Sequence, residues 1–227
     1  NKKSLLFFHS NTKIRNVSLT YLRGLEIAKL KEEDIYVCWV IVTNIVKESE
    51  LSIEKVNARQ EEIDNVARFY KFDDVFKLNF PTTKLDTFSI KEIIDSLDSV
   101  INKVKPDTIF IPNRSDVHSD HRITFNAAIS CTKIFKTPFV KNILMYEVIS
   151  ETEFSPQIPS CTFVPNSFCN ITDHIEQKIE AMSMFAGEMG KHPFPRSEKM
   201  IRALATLRGE MAGHVYAEAF QVLKEIW

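Results

Sequence analysis

Short apolar runs alternate with longer amphipathic segments along the first 150 residues, and this alternation is the feature that most constrains the fold. Runs rich in β-branched and aromatic residues predict strands, whereas apolar residues repeated every three or four positions predict helices. We predict strands over 4–8, 35–42, 75–80, 108–111 and 142–149, and helices over 18–31, 51–69, 89–104 and 123–135. Strands that alternate with helices form right-handed βαβ units. The predicted fold class is therefore α/β, a Rossmann-like three-layer sandwich with a mostly parallel sheet of about five or more strands.

The pattern changes after Ser150, where prolines mark a loop-rich stretch before further helices. We predict these helices over 173–185, 197–207 and 216–226. The interpretation is a single domain over 1–227, with a parallel α/β core over 1–150 and a C-terminal helical extension over 151–227 that caps the site. Glycine occurs only 5 times in the chain, and neither G-x-G-x-x-G nor G-x-x-x-x-G-K is present. The predicted topology therefore does not imply a dinucleotide.

Charge and cysteine content limit the classes of partner. The net charge is −1 and the isoelectric point is near 6.7, so no global field favours nucleic acid or an anionic membrane. No apolar run approaches the ~18 residues of a membrane span. The four cysteines include no C-x-x-C pair, and a chain of 227 residues does not need disulfides for stability. We therefore expect a cytoplasmic protein with reduced thiols and a small-molecule partner, without nucleic acid or a transmembrane segment.

Titratable side chains are concentrated where the fourth predicted strand ends. Asp116, His118, Asp120 and His121 fall within six positions, just before a helical pattern begins. Ligands of open α/β sheets bind beyond the carboxyl ends of the strands. The two histidines are spaced i, i+3 and can converge on one helix face, and the two carboxylates could orient imidazoles or act in acid/base chemistry. If the first and fourth strands are neighbours, His9 at the end of the first strand reaches the same crevice.

The segment Pro106–Arg122 resembles the second motif of the LmbE/PIG-L family of zinc-dependent N-deacetylases, P-D-x-V/I-x-x-P-x-x-x-D-x-H-x-D-H. The resemblance runs over nearly the whole chain. Its other parts are Arg59 with Glu62, Tyr146–Val148, Phe163–Asn166, Lys178–Met182, Pro195–Ser197, Arg208 with Gly209, and Tyr216–Phe220.

This resemblance implies a function and a set of roles. Zinc would polarise an N-acetyl carbonyl and a bound water, and acetate would leave from an amino sugar or sugar conjugate such as one of N-acetylglucosamine. His9 and His121 correspond to metal ligands. His118 corresponds to the residue that stabilises the oxyanion or protonates the leaving amine, and Asp120 to one that orients an imidazole.

Two arginines are candidates for substrate binding. Arg196 lies in the proline-bracketed basic loop Lys191–Ser197, where a guanidinium could pair with a phosphate or carboxylate of the substrate. Arg114 lies close to the histidine motif. For Glu218 a structural salt bridge is the preferred interpretation.

The first motif departs from the family pattern A-H-P-D-D-E, because this chain reads Phe8-His9-Ser10-Asn11-Thr12-Lys13. The base position holds Asn11, which cannot take a proton, and the third-ligand position holds Thr12. Asp116 or Asp120 could substitute as a ligand, or the sequence could be discontinuous around 9–16. The predicted function is a zinc-dependent N-deacetylase. The alternatives are a catalytically degenerate relative that binds a sugar or sugar nucleotide or supports a partner enzyme, and a metal-free enzyme that uses His118 and Asp120. A homo-oligomer is possible in each case.

Overall fold

The computed structural model describes residues 3–10, 35–45 and 52–227. The predicted helix over 18–31 lies outside these ranges. Within them the chain forms seven strands and five α-helices: β1 (Ser4–Ser10), β2 (Tyr36–Asn44), α1 (Ile53–Phe69), β3 (Asp74–Pro81), α2 (Ile90–Val104), β4 (Thr108–Pro112), α3 (Ser119–Ser130), β5 (Asn142–Tyr146), β6 (Ser167–Asn170), α4 (Ile175–Ser183), α5 (Glu198–Ala212) and β7 (Ala217–Lys224). None of these helices is long and apolar enough to cross a membrane.

The seven strands form one sheet in the order β3-β2-β1-β4-β5-β7-β6. Strands β1 to β5 are parallel, and β7 runs antiparallel to both β5 and β6. The chain moves outward in one direction from β1 to β3 and in the other from β4 to β5. The direction therefore reverses between β1 and β4, which makes the crevice beyond their carboxyl ends the expected ligand site. The sequence placed His9 and the His118–His121 motif at these two strand ends.

Alternate side chains of the central strands enter two separate cores. On one face of β1, Leu5 and Phe7 pack with residues of α1, α4 and α5, and the Phe7 ring stacks on that of Phe110 with centroids 4.6 Å apart. On the other face, Leu6 and Phe8 pack with residues of α2 and α3. Helices thus cover both faces of the sheet, and the predicted three-layer α/β sandwich is confirmed.

Helix α2 shows how local sequence fixes an element's limits. Ser89 and Glu92 form a capping box at its start, which satisfies backbone N–H groups that have no partner within the helix. Lys105 takes a left-handed conformation at its end, and Pro106 cannot continue the helix. The helix carries Ile93, Leu97 and Ile101 into the core at the spacing that the sequence predicted.

Several element boundaries differ from the sequence prediction, and one predicted helix is a strand. Helix α3 begins at Ser119 rather than at 123, so His121 lies in its first turn. Strand β5 ends at Tyr146 rather than at 149. The predicted helix over 216–226 is wrong: Ala217–Lys224 is strand β7, and the short strand β6 beside it was not predicted. Because β7 is paired on both sides, ladder hydrogen bonds outweigh the helix propensity of its Ala, Glu, Leu and Lys residues. The C-terminal extension therefore contains two strands as well as two helices.

Candidate active site

His118 caps helix α3 and sets the geometry of the motif. Its extended backbone (φ −69°, ψ 122°) places it just before the helix, and its Nδ1 accepts the backbone N–H of Asp120 at 3.1 Å. Since Nδ1 is an acceptor, the proton of a neutral His118 ring lies on Nε2. The next turn brings the ring of His121 to 5.2 Å from that of His118, measured between centroids. The sequence prediction that these two histidines converge is confirmed.

His121 is held by a buried carboxylate. Its Nδ1 lies 2.8 Å from Oδ2 of Asp116, and both side chains are fully buried. The other oxygen of Asp116, Oδ1, accepts the hydroxyl of Thr152 at 2.6 Å. A carboxylate that accepts from one ring nitrogen fixes the imidazole's orientation and leaves the lone pair on the other nitrogen.

That other nitrogen, Nε2 of His121, is buried and has no hydrogen-bond partner among the described residues. An unpaired buried polar atom costs about 1–3 kcal/mol of stability, so such atoms are uncommon in folded proteins. The arrangement matches that of a metal-binding imidazole, in which one nitrogen meets a carboxylate and the other coordinates the ion. His121 therefore fits the ligand role.

The pKa values of the three histidines shift in different directions. Burial by itself would lower the pKa of His121, but the hydrogen bond and charge of Asp116 outweigh it and the pKa is raised. Burial, with smaller contributions from the charges of His121 and Arg59, lowers the pKa of His9 well below its ordinary value. Burial and nearby positive charge lower the pKa of His118 to about 3. His9 and His118 are thus neutral imidazoles at neutral pH.

His9 lies at the carboxyl end of the central strand β1, next to the α3 motif. It is the penultimate residue of β1, paired with Ile41 of β2, and its side chain is buried. Its position confirms that β1 and β4 bring both motifs to one crevice. Asn11, Thr12 and Lys13 lie outside the described residues. Within the described ranges, no cluster of three His, Cys, Asp or Glu side chains is arranged to hold a metal ion.

The carboxylate of Asp120 contacts backbone N–H groups of a neighbouring turn. Its Oδ2 accepts the backbone N–H of Thr83 at 2.7 Å and its Oδ1 that of Leu85 at 3.3 Å. It thereby ties α3 to the turn that follows β3, and Asp116 is the carboxylate that orients His121. Each oxygen of the two carboxylates accepts a hydrogen bond within the protein. The role of either aspartate as a substitute ligand stays a prediction.

Both candidate substrate-binding arginines contact the protein itself. Arg114 is exposed and donates from Nη2 to the carbonyl of Ser160 at 2.7 Å. Arg196 is buried, and donates from Nε to the carbonyl of Glu188 at 2.9 Å and from Nη1 to Oγ of Ser150 at 2.8 Å. The structure thus uses Arg196 to join two loops rather than presenting it to solvent, because its guanidinium is enclosed by backbone and hydroxyl acceptors.

Two features were missed from the sequence. Thr152 supports Asp116 from 36 residues away and belongs to no motif, so no local signal could have found it. Glu188 is fully buried 2.8 Å from Arg59, which the R-x-x-E resemblance had marked together with Glu62 only. The preferred interpretation of Glu218 is confirmed, since it forms a salt bridge with Lys178 at 2.7 Å.

The sequence matches a family of de-N-acetylases and resembles a characterised deacetylase. The sequence profile described as "PIG-L: GlcNAc-PI de-N-acetylase" matches residues 19–132, just over half of the 227 residues. Diacetylchitobiose deacetylase of Thermococcus kodakarensis is 23% identical over 211 residues, covering 90% of this chain and 78% of that protein.

Solved structures share the fold at low sequence identity. N,N'-diacetylchitobiose deacetylase from Pyrococcus horikoshii has a TM-score of 0.76 and 23% identity, covering 98% of this chain and 84% of that one. The zinc inhibited form of teicoplanin deacetylase Orf2 has a TM-score of 0.71 and 14% identity, covering 98% and 99%. GalB, the 4-carboxy-2-hydroxymuconate hydratase of Pseudomonas putida, has a TM-score of 0.74 and 19% identity, covering 99% and 98%. Because the fold also carries a hydratase, the reaction has to be argued from the site.

Proposed function

Since the chain belongs to the PIG-L family of de-N-acetylases, we propose that it is a hydrolase that removes the N-acetyl group from an amino sugar or a sugar conjugate. The observation that carries the proposal is His121, whose Nδ1 is bound by buried Asp116 and whose Nε2 is buried without a partner among the described residues. A diacetylchitobiose deacetylase among the relatives supports a carbohydrate substrate.

His9 and His121 would hold a zinc ion in this proposal. A bound zinc supplies polarisation of the N-acetyl carbonyl and a water of lowered pKa. Both rings fit the role, because His9 is neutral and buried beside His121, and Asp116 raises the basicity of His121 through its other nitrogen. The third position of the family's ligand set falls on Thr12, outside the described residues.

His118 would stabilise the oxyanion rather than protonate the leaving amine. The resemblance leaves both roles open. Its Nδ1 accepts the Asp120 N–H, which leaves a proton on Nε2 to donate to a developing negative charge. A ring with a pKa of about 3 holds no second proton to transfer at neutral pH. A neutral imidazole donor is therefore the role that the geometry favours.

The family's general base position is Asn11, and an amide cannot accept a proton. We therefore expect slow turnover, since loss of a general base costs roughly 10²–10⁴-fold in rate. The alternative function, a relative that binds an N-acetylated sugar without hydrolysing it, rests on this same departure.

Metal content tests the proposal. Elemental analysis would compare the wild-type protein, His121→Ala and, as a matched control, His214→Ala, whose side chain is exposed. The proposal expects about one zinc per chain in wild type and control, loss of zinc in His121→Ala, and slow release of acetate from N,N'-diacetylchitobiose. Absence of zinc in all three proteins after incubation with the metal would overturn the hydrolase proposal and leave the sugar-binding alternative.

A further inference from the structure

A cleft of about 300 Å³ lies between the loop that follows β5 and one face of α5. We call it the α5 cleft, and it is formed by residues 147–163 together with Met200, Leu204, Leu207 and Arg208. Its volume lies at the lower end of the range of small-molecule sites. No role proposed above for the histidine site uses it.

The lining of the α5 cleft is mainly apolar. The side chains that give it this character are Val148, Ile149, Pro156, Phe163, Met200 and Leu204. Leu207 lies at its edge with 52% of its surface exposed to water. A concave, water-exposed apolar surface gains free energy when a ligand covers it.

The charges in the cleft argue against an anionic ligand. Arg208 is the one basic residue among the described lining, and it donates from Nε and Nη2 to the carboxylate of Glu147 at 2.8 and 2.6 Å. The guanidinium also lies 5.9 Å from the ring centroid of Phe163. With this cation already paired and Glu153 adding a carboxylate to the lining, the cleft suits an uncharged group.

One residue joins the cleft to the histidine site. Thr152 lines the cleft, and its hydroxyl donates to Asp116, the carboxylate that holds His121. The cleft therefore lies behind the histidine site, and the linked side chains of Thr152, Asp116 and His121 stand between it and Nε2 of His121. A substrate long enough to extend from the histidine site around these side chains, or a separate molecule held against Thr152, would occupy the cleft.

We propose that the α5 cleft binds an uncharged alkyl or aryl group of about the size of an octyl chain. A methylene group has a volume close to that of a water molecule, about 30 Å³. About eight to ten methylene groups would therefore fill the cleft. The group can come from two sources, the aglycone of an N-acetylated glycoside or a separate ligand. The aglycone source rests on the proposed function, whereas binding itself does not.

Calorimetric titration with n-octyl β-D-glucopyranoside, below its micelle concentration, tests binding. This glycoside has no amide, so the test does not depend on hydrolysis. We expect binding to the wild-type protein and at least about tenfold weaker binding to Leu204→Trp, because displacing two methylene groups from the cleft is enough for that loss. Leu207→Glu should also weaken octyl glucoside binding, and because Leu207 is exposed this change does not endanger folding. Ala203→Trp adds the same ring on the exposed part of α5 outside the lining and is the matched control.

Kinetics with the octyl and methyl glycosides of N-acetylglucosamine separate the two sources. If the cleft holds the aglycone, Leu204→Trp raises KM for the octyl glycoside and leaves KM for the methyl glycoside unchanged. If it holds a separate ligand, neither KM changes while octyl glucoside binding is still lost. Failure of wild type to bind octyl glucoside, or equal binding by all four proteins, overturns the proposal. Absence of acetate release with intact binding would overturn the proposed function alone.

Discussion

The hydroxyl of Thr152 is the point at which a small substitution should test the architecture of the site. It donates to Oδ1 of Asp116 at 2.6 Å and accepts the backbone N–H of Val148 at 2.7 Å. Thr152→Val keeps the shape of the side chain and removes both hydrogen bonds. The carboxylate of Asp116 then loses the hydroxyl donor, and the loop loses one of its internal hydrogen bonds.

The size of the effect follows from what becomes unpaired. A buried polar group that loses its partner costs about 1–3 kcal/mol, and more when it is charged. Asp116 is fully buried, whereas Thr152 is partly exposed. We therefore expect Thr152→Val to lower the free energy of unfolding by about 2–3 kcal/mol. At about 2–4 °C per kcal/mol for a chain of this length, Tm falls by roughly 4–12 °C.

The same change should weaken metal binding, because Asp116 would no longer be held against His121. Changes to residues that orient a metal ligand typically cost about 10–100-fold in affinity. Urea unfolding of the chelated protein and zinc competition against a chromophoric chelator measure the two effects separately. Thr152→Ser retains the hydroxyl and is the control, which we expect to lie close to wild type in both assays. Equal stability and equal zinc affinity of Thr152→Val and Thr152→Ser would refute the reasoning.

Three further changes test other parts of the structure. Because the pKa of His118 is lowered to about 3, the folded state stays neutral where the unfolded state binds a proton, so stability falls as pH drops below about 6.5. His118→Asn keeps a capping acceptor but cannot bind this proton. We therefore expect the free energy of unfolding to depend less on pH, by up to one proton, in urea unfolding of the chelated protein between pH 7 and 5. Glu188→Gln leaves Arg59 and Arg196 without their buried counter-charge and should cost about 3 kcal/mol by calorimetry; no loss would contradict the assignment of Glu188 as their partner. Asn11→Asp restores an acceptor at the base position and should raise acetate release by roughly 10²–10⁴-fold, and an unchanged rate would place the base elsewhere.

The position of the site could be predicted from sequence because it depends on chain order. The prediction required the first and fourth strands to be neighbours, and in the observed sheet β1 and β4 are adjacent, so their carboxyl ends share one crevice. His9, His118 and His121 needed only to be assigned to strand ends. The register of β1 against β4, with Leu5 opposite Thr108, fulfils that requirement.

The identity of the orienting carboxylate depended on where α3 begins. The sequence prediction began the helix at 123, which left Asp116 and Asp120 on one loop with equal access to an imidazole. With the start at Ser119, Asp120 enters the first turn and meets the backbone of Thr83, while Asp116 stays in the loop beside His121. The sequence alone left both aspartates as candidates to orient an imidazole, and the position of the helix start is what separates their contacts.

Strand β7 could not be predicted because its sequence fits two structures. The residues of Ala217–Lys224 are mostly good helix formers, and no turn signal separates them as a strand. Their conformation is decided by β5 and β6, which present ladder partners on both sides. Long-range pairing of this kind leaves no trace in local periodicity. The buried pair of Glu218 with Lys178 of α4 depends on the same pairing, and the preference for a salt bridge was correct although the element was wrong.

The buried polar chain behind His121 is difficult to explain by stability alone. Thr152, Asp116 and His121 are linked by hydrogen bonds in the protein interior, and the chain ends at an imidazole nitrogen that no described residue satisfies. Apolar residues of similar shape would often stabilise a fold as well or better. Under both proposed functions that nitrogen gains a partner, a metal ion in the hydrolase or a ligand hydroxyl in a sugar-binding relative. A chelator removes the first partner and leaves the second, so the Tm of the purified protein with and without chelator distinguishes them: a fall reversed by zinc supports the hydrolase, and no change supports the binding relative.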